Sequence, residues 1–223
     1  MPALSRNQMA WRAAQDIHDG AYVNLGIGIP VLVGNYLPED REIILQSENG
    51  ILGIGPTASD DAIDIDLVDA GSQHVTLQSG AALTDSAGAF DMIIGGHIDI
   101  TMLGAFQVAP NGDFANWDAK LPHKGPLVGG AMDLASGARE VRVIMAHTTK
   151  QGEPRLVDEC SYPLTAPRVV TRIYTDIAVV EITQNGFVAR EILDGVSADD
   201  LRQKTGAPID LAPDCATLSA PEL

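Results

Sequence analysis

The apolar positions of this 223-residue chain fall into two patterns that take turns, compact runs and positions spaced three or four apart. The spacing of Met9, Ala13 and Ile17, with Ala14 beside them, predicts a helix over 6–19. Ser5 caps it and Gly20 ends it. Residues 22–25 read as a short strand running into Gly26-Ile27-Gly28-Ile29-Pro30, and Pro30 suits the first turn of a second helix over 31–36. The compact run at 42–46 has the form of a strand buried on both faces. Ser47 to Pro56 then reads as a glycine-rich loop ended by proline. A strand at 75–77, a helix over 85–94 closed by Gly95-Gly96, and a buried strand at 98–103 follow. Residues 105–117 read as a hairpin turning at Asn111-Gly112. A short element comes after Gly129-Gly130, and 141–146 is a strand. Residues 169–174 and 177–182 are further strands with a turn at 184–186, and 199–205 is a helix.

Repeated strand–turn–helix units predict an α/β fold, to which the late hairpins add antiparallel strands. No repeat and no linker interrupts the chain, so a single domain over 1–223 is expected, with a core at about 4–208 and a short C-terminal tail.

Composition narrows the partners more than the fold. Net charge is −16, a field that repels nucleic acid and anionic lipid, so neither is an expected partner. A phosphate-bearing ligand would have to be received by backbone N–H groups, by a few local cations or by another chain. No apolar run approaches the roughly 18–20 residues that span a bilayer. Cys160 and Cys215 form no CxxC pair, and the first residues lack a hydrophobic signal core. A cytoplasmic location follows as an expectation.

In open α/β sheets, ligands collect at the carboxyl ends of strands, and three glycine-rich segments fit that position: 26–30, 47–56 and about 125–131. Taken singly, each reads more readily as a tight strand-to-helix turn, because GIGIP is not GxGxxG and no GxxxxGK[ST] loop occurs. Glu48 stands between a buried strand and a glycine turn, where a carboxylate is surface decoration, a helix N-terminal ligand or a catalytic group. Asn49 and Gly50 beside it permit the unusual backbone angles of a presented side chain. Five aspartates between 60 and 69 read as a solvated acidic stretch ahead of a metal site. The histidines have no metal spacing: His97 reads as structural and His147 stays ambiguous. GxSxG is absent, so a serine hydrolase is unsupported.

Several long motifs stand together in order: YVNLGIGIP at 22–30, LQSENGILGIGP at 45–56, GGHIDITMLGAFQV at 95–108, GDFANW at 112–117, VGGAMDL at 128–134, YPLT at 162–165 and RIYTDIAVVEIT at 172–183. On these, from about Leu4 to about Pro208, the chain resembles the β subunit of family I CoA-transferases acting on 3-oxo acids. The resemblance implies that family's fold, with a mixed, mostly parallel sheet flanked by helices. It makes Glu48, the glutamate of SENG, the nucleophile of a ping-pong reaction through a glutamyl-CoA thioester. Gly129 would supply an oxyanion-stabilising amide, with Gly130 the adjacent alternative, and Gly26, Gly28, Asn49, Gly50 and Gly130 would shape the CoA pocket. Coenzyme A is then substrate and covalent intermediate, with no permanently bound cofactor and no metal. An α subunit would complete the site in an α2β2 assembly.

Within the family, GAFQV, GDFANW, ECSYPLT and RIYTDIAVVEIT are most similar to members moving CoA from succinyl-CoA to 3-oxoadipate. Members using acetoacetate carry a longer insert where this chain has residues 117–127. Transfer to acetoacetate from succinyl-CoA or acetyl-CoA is the alternative, and an inactive homologue that keeps the fold is the non-enzymatic one. A second substrate carboxylate would need a cation, for which Lys120, Lys124 and Arg172 are the candidates.

Overall fold

The computed structural model describes residues 2–120 and 125–223. Ten strands form one sheet: β1 (Tyr22–Leu25), β2 (Ile44–Ser47), β3 (Ile51–Thr57), β4 (Val75–Leu83), β5 (Ile100–Leu103), β8 (Glu140–Ile144), β9 (Val170–Tyr174), β10 (Ala178–Thr183), β11 (Gly186–Leu193) and β12 (Ile209–Leu218). The short pair β6 (Gln107–Val108) and β7 (Phe114–Ala115) makes a separate antiparallel ribbon. Sheet order is β12-β11-β10-β9-β8-β5-β1-β2-β3-β4. The run β9-β8-β5-β1-β2 is parallel throughout, and β3–β4 and β10–β11 add antiparallel strands on either side. The sheet is therefore mixed and mostly parallel, as expected of the fold class. Buried Val23, Ile100, Met102, Val141, Val143 and Ile173 explain why the central runs are compact, since helices cover their faces.

Helices α1 (Arg6–Gln15), α2 (Ser86–Ile94), α3 (Ala131–Gly137) and α4 (Ala198–Lys204) flank this sheet. Ser5 caps α1 through a full capping box with Gln8, which fits the predicted start. The end differs. The predicted helix ran to residue 19, whereas α1 stops at Gln15 with Asp16 as its C-cap. Asp16 is drawn into the sheet face, where Arg12, Arg172 and the Tyr174 hydroxyl all donate to its carboxylate. Burial alone would raise its pKa, but the Arg12 hydrogen bond and charge, with Tyr174 and Arg172, hold it below the ordinary carboxylate value.

Four other expectations change. The second helix is a 3-10 segment, Pro30–Asn35. The 47–56 segment is a tight turn followed at once by β3, since Ile51 and Gly53 are buried and the strand pairs with the next one. β4 runs on to Leu83, well past the residue 77 predicted for it. The tail beyond 208 is an edge strand, β12, which pairs parallel to β11 and buries Ile209, Ala212 and Leu218.

His147, just past β8, is buried, with Nδ1 3.1 Å from Thr175 Oγ1 and Nε2 3.0 Å from Thr205 Oγ1. Burial first, and the nearby Lys204 charge second, push its pKa down from 6.5 to about 4. It is a neutral core hydrogen-bonding group. A depressed histidine pKa means that the unfolded chain takes up the proton first. The contribution is whole above about pH 6.5 and is lost as pH falls toward about 4, up to about 3 kcal/mol. Urea unfolding of the chain at pH 7, 5.5 and 4.5 should show this loss, and His147→Asn should flatten it.

Candidate functional site

The site begins with polar residues inside otherwise apolar strands. Asn24 of β1 stands in register between Gln46 of β2 and Thr101 of β5. All three are buried. Asn24 Nδ2 donates to Gln46 Oε1 at 2.7 Å, Thr101 Oγ1 lies 3.5 Å from Asn24 Oδ1, and Gln46 Nε2 donates to the Ala89 carbonyl of α2 at 3.2 Å. A buried amide without partners is costly, so this ladder ties the registers of three strands to the placement of one helix. Two residues beyond the paired Asn24 and Gln46 stand Gly26 and Glu48, at the carboxyl edge of the parallel sheet.

Glu48 opens the turn joining β2 to β3, closed by the Gly50 N–H donating to the Ser47 carbonyl at 3.1 Å. Gly50 has φ +118°, and a Cβ there would lie 2.0 Å from the Thr84 carbonyl oxygen, so no other residue fits. The Thr84 N–H donates to the Gly50 carbonyl at 2.8 Å, Ser47 Oγ accepts from the Ala70 N–H at 3.0 Å, and Asn49 Nδ2 donates to the Val68 carbonyl at 2.8 Å. The turn is thus anchored on three sides. Asn49 itself is exposed and its amide is engaged by this anchoring.

The Glu48 side chain is half-buried and meets Gly130, the N-cap of α3. A Cβ on Gly130 would lie 2.4 Å from Glu48 Oε2 and 2.7 Å from Cζ of Phe90 on α2. Helix α3 is held there by a second close approach, since a Cβ on Gly137 would lie 2.4 Å from the Ile93 carbonyl. Among the described residues, no hydrogen bond or cation reaches the Glu48 carboxylate. Burial, and secondarily the like charge of Asp133, raise its pKa. A carboxylate so placed is poorly solvated and accessible, which suits attack on an electrophilic carbon.

The other expected site residues are placed less uniformly. Gly129 is exposed, with nothing among the described residues within 4 Å of its Cβ position, so Gly130 is the member of the pair that the fold brings to Glu48. At Gly26 a Cβ would lie 2.9 Å from Leu103 Cδ2, which marks close packing of β1 on β5. Gly28, at φ +100°, faces open space in a cleft of about 670 Å³ lined by Arg6, Ile27, Val31 and Gln73. A smaller cavity of about 40 Å³ beside it includes Ser47. Glu48 lines neither.

Arg172 is committed to Asp16 at 2.9 Å, in the ion network under α1, and so is withdrawn as a substrate cation. The Lys120 ammonium donates to the Ser161 carbonyl at 3.3 Å. Lys124 lies outside the described residues. His97 is exposed, both cysteines are free, and no group of three potential ligands among the described residues could hold a metal ion. Sequence reasoning missed the Asn24–Gln46–Thr101 ladder, Phe90 and Asp133. A signal existed only for the ladder, as amides interrupting the apolar runs YVNL and EIILQ.

The family described as Coenzyme A transferase matches residues 6–204. The chain is 54% identical to the β subunit of the 3-oxoadipate CoA-transferase of Pseudomonas putida, over 92% of this chain and 96% of that protein. It is 45% identical to the β subunit of the succinyl-CoA:3-ketoacid coenzyme A transferase of Helicobacter pylori, over 92% of this chain and 99% of that one. An acyl-CoA transferase from Escherichia coli superposes with TM-score 0.75 at 21% identity, covering 98% of this chain. This chain spans 44% of that longer polypeptide, and the likeness speaks for the fold alone.

The three glycines should separate on substitution. Gly50→Ala should lose about 3 kcal/mol or more, through positive φ and a backbone clash. Gly129→Ala should stay within about 0.5 kcal/mol of the parent. Gly130→Ala, opposed only by side-chain ends, should fall between them. Chemical denaturation of the three variants checks the order.

Proposed function

This chain belongs to the coenzyme A transferase family, and we propose that it is the β subunit of a two-subunit enzyme carrying CoA from succinyl-CoA to 3-oxoadipate. The observation carrying this reading is Glu48 at the carboxyl edge of the parallel strands, half-buried against Gly130 and with no cation neutralising it among the described residues. An oxygen of Glu48 attacks the succinyl-CoA carbonyl carbon, and collapse of the tetrahedral adduct breaks the C–S bond. The products are a mixed anhydride and the CoA thiolate. The thiolate then attacks the Glu48 carbonyl carbon, and succinate departs with the bridging oxygen. Glutamyl-CoA remains. The carboxylate of the second acid repeats the two attacks in reverse, which frees Glu48 and forms the new acyl-CoA. No net proton is exchanged, so the site requires no general acid or base. It does require exclusion of water, which would hydrolyse the anhydride or the thioester.

Backbone N–H groups at Gly129-Gly130 are the donors proposed for the developing oxyanions, each worth roughly 3–4 kcal/mol where such donors have been removed from other enzymes. Ile27, Leu127, Val128 and Met132 are exposed near the same edge. They, and a net charge of −16 that leaves few cations for the CoA phosphates, fit completion of the site by an α subunit. The names of the P. putida and H. pylori relatives, each one subunit of a larger enzyme, support that partner, and an α2β2 assembly is the proposed stoichiometry. The acceptor reading rests on the higher identity to the 3-oxoadipate enzyme. Acetoacetate is the second reading, favoured by the 45% identity to the 3-ketoacid enzyme.

Incubation of the two-subunit enzyme with succinyl-CoA should leave a CoA adduct on the Glu48 peptide, detectable by mass spectrometry. Glu48→Ala should show no adduct and lose at least about a thousandfold in kcat. An active enzyme without the adduct would overturn the covalent mechanism. The kcat/KM for 3-oxoadipate should exceed that for acetoacetate by about tenfold or more, a difference of ~1.4 kcal/mol in transition-state binding. The reverse preference would move the enzyme to the second reading.

A further inference from the structure

We propose that Asp133 is a positioning residue that acts on Glu48 through space, destabilising its free carboxylate relative to the thioester and so setting how much of the enzyme rests in the CoA-loaded form. This deepens the reading of Glu48 as the covalent nucleophile and rests on it. The geometry comes from α3. Gly130, its N-cap, meets Glu48 Oε2, and Asp133 is the third residue of the first turn. Side chains at that position reach back over the N-cap, the geometry used by capping boxes. Here the N-cap is a glycine and makes no side-chain cap bond, so Asp133 has no reciprocal partner in a box. Asp133 is exposed, and among the described residues it joins no ion pair or side-chain hydrogen bond. Among the described residues, the structural contribution left to it is a favourable interaction with the helix dipole, which is small in an exposed first turn. Its like charge is the second cause, after burial, of the raised Glu48 pKa.

The chemistry gives that repulsion a direction. In the free enzyme Glu48 and Asp133 are both anions. In the glutamyl-CoA thioester, Glu48 has given one oxygen to the departing acid and carries no charge, so the repulsion is gone. The equilibrium between free enzyme with succinyl-CoA and thioester with succinate compares only these end states. Repulsion felt by the free acid affects rates and drops out of the equilibrium, and the CoA phosphates kept in the thioester sit at the far end of the pantetheine arm, where solvent and salt screen them from Asp133. With Asp133 present, thioester is favoured; with a neutral residue, the free carboxylate is relieved and the balance moves back.

The test is an equilibrium titration of the two-subunit enzyme at fixed succinyl-CoA to succinate ratios, with the CoA-loaded fraction of Glu48 read by intact-protein mass spectrometry. Asp133→Asn should lower the loaded-to-free ratio about three- to tenfold, the range expected of one like charge acting across largely hydrated space. Asp133→Glu should stay within about twofold of the parent. Asp133→Ser serves as a second neutral variant should Asp133→Asn fold poorly, because serine is well tolerated at a helix start. A merely structural Asp133 would move the melting temperature and leave the ratio unchanged. An unchanged ratio in a folded neutral variant, with the parent loading normally, overturns the proposal. Failure of the parent itself to load overturns the covalent reading beneath it.

Discussion

The pairing of three buried polar side chains, Gln46, Asn24 and Thr101, is the constraint on which the site depends. An unsatisfied amide in that interior would cost on the order of 1–3 kcal/mol, and slipping any one strand by a residue would orphan at least one of them. The ladder therefore fixes the register of β2, β1 and β5 together, and through Gln46 and Ala89 it fixes the height of α2. Once those are fixed, Gly26 and Glu48 must emerge side by side at the carboxyl edge. Phe90, on the helix that Gln46 holds, must stand beside them.

Close backbone approaches do the rest. Gly50 lets the β2–β3 turn meet Thr84, Gly137 lets α3 settle on the end of α2, and Gly130 leaves room for a carboxylate where a methyl group would stand. These contacts leave Glu48 half-buried and unpaired among the described residues. Folding selects against such a carboxylate, and nucleophilic chemistry selects for it. The ion network around Asp16 shows the contrast within one molecule. There, Arg12, Arg172 and Tyr174 surround a carboxylate and hold its pKa down. At Glu48, burial and Asp133 raise it.

Much of the fold was legible because its signals are local. Ser5 caps α1, α2 fills residues 86–94 of the span read as helical, and the Asn111-Gly112 turn lies between paired strands. The misread elements are those whose partners lie far along the chain. Ile51 to Thr57 looked like a loop for its glycines, yet it is a strand because β4 pairs along it with two register shifts. Residues 209–218 looked like a tail, yet they complete the sheet against β11. Helix α1 ends early because Asp16 answers to Arg172 and Tyr174, more than 150 positions away.

The class of fold, the family, and Glu48 as the residue of interest could all be read along the chain, since strand periodicity, caps and contiguous motifs are written in neighbouring positions. What surrounds that glutamate could not. Which glycine touches it, that Phe90 stands beside it, that Asp133 repels it and that Arg172 is already committed to Asp16 emerge only once the chain has packed. The physical reason is that burial and Coulomb energy depend on distances in space, and only the assembled sheet and helices bring residues 48, 90, 130 and 133 together.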